Sequence, residues 1–374
     1  MLYIAAVTVL SLLASVGLTL AGWGVPAAVV HVAFAIGIVP LIFGAMIHFV
    51  PVLTRSGGPA RGIRLLPAGA QAVGVLAVAA MQGLAPRGLL HGAATLDLLL
   101  AAVLLFWIVR RARASLGSPH PGWRWYGGAL GCFLLALAAV PVLESVPDLY
   151  ASLRAFHLHL NTLGLVGLAA LGTLPVLLPT ALGKPDPEAA GWLRQRLWPT
   201  LAAVVLVALG AAFFWPLALI GAALLAVLAF TLGRQWWGRF GPAALWRDGA
   251  AASLGAALAG LLVLLMAGAL HGAGLVPARP AIVAWATGFL MPLVTGALSQ
   301  LLPVWRWPGP VIPARAIMRA KLAATGRWRG LCFLAAGLLI ATGFAGPGEA
   351  LAAAGMLLFA IGLVQAVGVP ASAR

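Results

Sequence analysis

The chain has 374 residues, of which 63% are hydrophobic and only 8% charged, and its formal net charge is +16. Soluble globular proteins carry about 25% charged residues, so this composition excludes a soluble domain and indicates a polytopic membrane protein. In that setting the basic charge is a topology signal first; membrane lipid, and not nucleic acid, is the expected surrounding.

An apolar run needs about 20 residues to cross a bilayer. Twelve such runs are predicted, at about 2–22, 27–50, 65–84, 90–109, 125–143, 154–178, 198–214, 217–233, 249–270, 280–302, 329–345 and 350–369. The connections between them alternate in charge. Of the 23 Lys and Arg, 20 fall in one set, from Arg55, Arg61 and Arg64 through Arg327 and Arg329 to Arg374. The other set holds only Arg87, Arg154 and Arg279, together with Glu144, Asp148 and Glu349. The positive-inside rule then predicts cytoplasmic N- and C-termini, in the cytoplasmic (inner) membrane of a prokaryote. No basic stretch precedes the first run, so no cleaved signal peptide is expected.

A helix-sized pattern occurs three times. Residues 38–57, IVPLIFGAMIHFVPVLTRSG, align without gaps on residues 290–309, LMPLVTGALSQLLPVWRWPG, with seven of twenty positions identical. The middle copy begins at His159. Gly44 and Pro51 follow His31 at offsets 13 and 20, Gly172 and Pro179 follow His159 at the same offsets, and the third copy has Val283 at the corresponding point. Such self-similarity decides architecture: all-α, about twelve transmembrane helices in one domain, 1–374, made of three pseudo-repeats of four, 1–124, 125–248 and 249–374.

Depth along the spans sorts the seven histidines. His31 lies about one turn below the outer surface on the second span, and His157 and His159 lie at that level on the sixth. His91 opens the fourth span and His271 closes the ninth, both at the outer side. His48 and His120 fall on the basic side. Imidazole is the commonest metal ligand, so the outer third of the bundle is the expected metal or haem centre. His31 and His159 occupy equivalent points of two repeats, which predicts that they face each other as axial ligands of one haem. Residues i and i+2 of a helix stand about 200° apart, so His157 is expected to face a second cavity, holding a second haem or another metal. His91 and His271 are weaker candidates for a copper or other metal site. Asp97, inside the fourth span, is costly there and is a proton-relay candidate. Arg154 is placed to pair with haem propionates. The two cysteines form no CxxCH, which excludes covalent c-type haem, and no nucleotide-binding Gly-rich loop occurs.

This pattern resembles the catalytic subunit of the haem-copper oxidase superfamily. HLHLNTLGLVGLAALGTLPVLLPTALGKP, in the sixth span, is similar to that family's HxH helix. The resemblance implies His157 as ligand of a high-spin haem, with His159 and His31 on a low-spin haem. Several features depart from the family. The HxH helix lies in the second repeat rather than the third. The copper-binding His-Pro-x-x-x-Tyr segment and His-His pair are not found. WATGFLMP, at Trp285–Pro292, lacks the His and Tyr of the helix it echoes. A conventional oxygen-reducing oxidase is therefore not expected. The pattern is closer to the NnrS-like proteins, whose twelve spans, histidine-rich second and sixth spans, haem and copper content and role in nitric-oxide stress imply one or two b-type haems here, with copper as a further candidate. The implied work is electron transfer or small-gas handling, with a redox protein or a quinol as partner. The alternative is a metal-handling or oxidase-assembly protein without catalysis.

Overall fold

The computed structural model describes residues 1–371, except the side chains of Glu144, Ala278 and Arg279. Arg374, Glu144 and Arg279 of the charge count thus lie outside what is described. The described residues form helices and connections, with no strand among them. Among the described residues, eleven helices are long and apolar enough to cross a membrane: α1 (Leu2–Leu20), α2 (Pro26–Leu53), α3 (Arg61–Met81), α4 (Leu89–Arg113), α5 (Gly122–Leu143), α6 (Pro147–Ala181), α7 (Ala189–Phe213), α8 (Trp215–Phe240), α9 (Gly249–Gly272), α10 (Pro280–Arg306) and, after the shorter helix α11 (Gly326–Ala341), α12 (Ala345–Val367). The chain is an all-helical, multi-pass membrane protein.

The eleventh predicted span, 329–345, is the exception. Helix α11 is Gly326–Ala341, 16 residues and so about 24 Å long, short of the ~30 Å hydrocarbon thickness. Gly343 at φ 95° breaks the chain after it. Arg329, counted above as a loop charge, lies inside this helix and is fully buried. Its guanidinium donates to the Leu322 and Thr295 carbonyls and to Ser299 and lies over the Phe359 ring at 4.9 Å. Carbonyls, a hydroxyl and a π-face replace water around this cation.

Helices α2, α6 and α10 carry the three Gly–Pro patterns, and each contains a π-helical stretch: Val32–Ile38, Leu160–Gly167 and Ala286–Leu290. In α2 the stretch leads into Pro40, which has no N–H to give the Ile36 carbonyl four residues back. Gln71 of α3 supplies that donor at 3.1 Å, and Thr8 of α1 donates to the neighbouring Gly37 carbonyl at 2.9 Å. The local break is therefore closed by tertiary bonds. The same three helices line one shared apolar cavity.

Around them the contacts repeat in one sense. Helix α2 touches α5, α6 touches α9 and α10 touches α1. The second, sixth and tenth helices thus meet the fifth, ninth and first, and the series closes on itself. Close approach comes from glycine. A Cβ at Gly260 of α9 would run into the Gly288 carbonyl of α10, whereas one at Gly255 meets nothing. Gly260→Val is expected to cost about 1–3 kcal/mol of stability through overpacking, read as a lowered thermal unfolding midpoint in detergent, and Gly255→Val to leave the midpoint unchanged.

Candidate functional site

Two histidines from different helix sets meet at one level. The His31 ring on α2 stands 6.4 Å, centroid to centroid, from the His157 ring on α6, with 18° between their planes. That is too far for ring stacking contact. It is the separation expected when two imidazoles bind one atom from opposite sides: a nitrogen–metal bond is ~2.0–2.1 Å and each centroid sits about 1.1 Å behind its nitrogen, giving about 6.2–6.4 Å.

Each ring is anchored through Nδ1. His31 Nδ1 lies 2.7 Å from the Ala27 carbonyl one turn earlier. His157 Nδ1 lies 2.8 Å from the Ala136 carbonyl of α5. A carbonyl only accepts, so Nδ1 carries the proton in both rings and Nε2 keeps its lone pair. The residues present therefore fit a bis-imidazole iron site.

The pairing differs from the sequence expectation. His31 faces His157, not His159. Equivalent positions face each other only across a two-fold axis. In a ring of successive units, a position on one unit meets a different position on the next, and the closed α2–α5, α6–α9, α10–α1 contacts are of that kind. His31 therefore meets the residue two before its own counterpart. The 200° divergence of His157 and His159 does hold: the two rings serve different sides of α6.

His159 opens onto a cavity of about 310 Å³ between α6, α8, α9 and α10, whose wall also includes His271, Thr162, Trp215, Ala281 and Trp285. This volume is at the lower end of the ~300–1,000 Å³ range of small-molecule sites. The two histidines repeat the anchoring. His159 Nδ1 is 2.8 Å from the Ala155 carbonyl and His271 Nδ1 is 2.6 Å from the Val276 carbonyl. Both present Nε2. Position 281 in the third set corresponds to 157 in the second, so the ring geometry puts an alanine where the first interface has His157. His271, from the end of α9, brings the second imidazole instead. At the third interface the corresponding pair, Val29 and Val283, lines a cavity of about 50 Å³ that contains no histidine.

The remaining expected residues fall elsewhere. His91 is exposed at the start of α4 and joins neither histidine pair. Arg154 is exposed one turn before His157. Asp97 is buried in α4, and its Oδ1 has no hydrogen-bond partner. His48 packs edge-on against Phe49 and Trp305. In the connection before α5, burial and then the charge of Arg194 lower the His120 pKa. Sequence reasoning missed Trp285, whose ring stacks on Phe34 at 5.8 Å and whose buried Nε1 has no partner; its place in the echoed WATGFLMP segment was the available signal.

Compared with known proteins, the chain matches no family model and no curated protein sequence. The functional reading therefore rests on the residues themselves.

Because Asp97 already buries an unpaired carboxyl oxygen, Asp97→Asn is expected to unfold in detergent within about 1 kcal/mol of the parent. A loss of several kcal/mol would reveal a charge partner that the geometry lacks.

Proposed function

We propose that this protein is a b-type haem-binding protein of the cytoplasmic membrane, working in electron transfer or in handling a small gas such as nitric oxide. The observation that carries the reading is the His31–His157 pair, 6.4 Å apart and nearly parallel, with both Nδ1 atoms tied to carbonyls. A haem held there by His31 and His157 would supply one-electron redox chemistry, with both imidazoles engaged as its protein ligands. The protein's part is to fix the tautomer of each ring, to hold the two helices at bonding distance and to exclude water with the packed α2–α5–α6 interface. Arg154, exposed one turn before His157, is the residue proposed to meet a propionate.

The His159–His271 cavity supports a second cofactor site, for haem or copper, in which one position could stay open to a gas or an electron carrier. A redox protein or quinol is the proposed partner. The Arg-rich end of the bundle is assigned to the cytoplasm with both termini, and the three sets of four helices are read as repeats of one ancestral unit. A metal-handling or assembly role without catalysis is the competing reading; the cavity with two free Nε2 atoms is the feature it would use.

The test is haem content and absorption of protein purified from haem-supplied cells. The parent is expected to show a Soret band and, reduced, a sharp low-spin α band. His31→Ala and His157→Ala should each remove that band, while His159→Ala should leave it. A parent protein with no Soret band sinks the proposal.

A further inference from the structure

At the Arg-rich end of the bundle, far along the chain from any histidine pair, α7 and α8 enclose a cleft of about 450 Å³. Its wall comprises Trp192 and Arg196 from α7 and Thr231, Arg234, Gln235 and Gly238 from α8. Two donors here have no acceptor: Trp192 Nε1 and Arg196 Nε are both buried and unpartnered. Trp192 is only 8% exposed, and stacking on Trp125 at 5.7 Å fixes its ring.

The nearby acids do not neutralise the cleft. Asp186 and Glu188 are both paired with Arg239 on the next turn of α8, and they also accept from the Gln235 amide at 3.5 and 3.4 Å. Neither Arg196 nor Arg234 forms an ion pair among the described residues. Other arginines at this end are satisfied internally: Arg319 by Asp248 and Gln300, Arg315 by the Gly309 carbonyl, Arg306 by the Val367 carbonyl. A buried guanidinium N–H and a buried indole N–H, left unpaired beside a second free guanidinium, call for an anionic acceptor with several oxygens.

The surroundings select among anions. One and two turns deeper on α8, on the same face as Arg234, Phe230 and Val227 are 59% and 58% exposed. These apolar side chains face outward from the bundle, where acyl chains would run. We propose that the α7–α8 cleft binds the phosphodiester headgroup of an anionic phospholipid. Arg196 and Arg234 hold the phosphate oxygens, Trp192 donates through its indole N–H, and the acyl chains lie along Phe230 and Val227. Basic pockets between helices on the cytoplasmic side suit this recognition.

Native mass spectrometry of the full-length protein tests it, with titration by phosphatidylglycerol and by phosphatidylcholine. The parent should hold one phosphatidylglycerol about tenfold or more tightly than phosphatidylcholine. The double variant Arg196→Gln/Arg234→Gln should lose this preference at an unchanged unfolding midpoint. Trp192→Phe, which keeps the stacked ring, should fall between the two and serves if the double variant does not fold. Inorganic phosphate in excess separates the sources. If it displaces the lipid, the phosphate group alone is what the arginines recognise; if it does not, the lipid is held as headgroup and chains together, and both results support the site. Equal retention of the two lipids by the parent, or the same preference in a folded double variant and in Trp192→Phe, overturns it.

Discussion

The interaction on which the proposed site depends is the bond between a histidine Nδ1 and a backbone carbonyl. It is made four times, by His31, His157, His159 and His271. A free imidazole inside an apolar bundle has two tautomers and a rotating ring. A carbonyl at 2.6–2.8 Å removes both freedoms, since only Nδ1–H can meet it. What remains is a directed lone pair on Nε2. His31 and His159 use the carbonyl one turn back on their own helix, so their aim is set by local geometry alone. His157 reaches across to α5 and His271 to the turn after α9, so theirs is set by the fold.

The arrangement of helices then decides which lone pairs meet. The α2–α5, α6–α9 and α10–α1 contacts make three similar interfaces, and side chains differentiate them. The first holds the His31–His157 pair. The second has His159 and borrows His271 beside a larger cavity. The third presents Val29 and Val283 around a small apolar one. One scaffold thus offers three different environments: a facing pair of imidazoles, a larger cavity with two, and a smaller cavity without histidine. In the proposed reading the first suits an electron-carrying haem and the second a cofactor with ligand access. The π-helical stretches that begin after His31 and after His159 widen the helix at the level of these sites, as often happens where function requires a local departure from α geometry.

Much of the fold was legible in the sequence because hydrophobic length and spacing are local properties. The spans and their breaks at Gly and Pro can be read from residues in order. The divergence of His157 and His159 was equally local, following from 100° per residue. What could not be read was rotation of one helix against another. Two-fold reasoning pairs His31 with His159, and only the sense of the inter-set contacts shows that His157 takes that place. His271 was underweighted for the same reason, since the end of α9 meets α6 through tertiary packing. Arg329 looked like one more loop charge because the carbonyls and Ser299 that solvate it come from α10 and the segment before α11. The short α11 shows the limit of counting apolar residues: a run of adequate length forms a 16-residue helix when glycine breaks it.

The central claim is that His31 and His157 act as one axial pair across the first interface. Low-temperature electron paramagnetic resonance of the oxidised, purified protein tests it most directly, because the ferric signal reports both the number of axial imidazoles and their relative orientation. The account predicts a rhombic low-spin signal from two nearly parallel rings, present in the parent and in His159→Ala and absent from His157→Ala. A low-spin signal that survives His157→Ala but disappears in His159→Ala would contradict it.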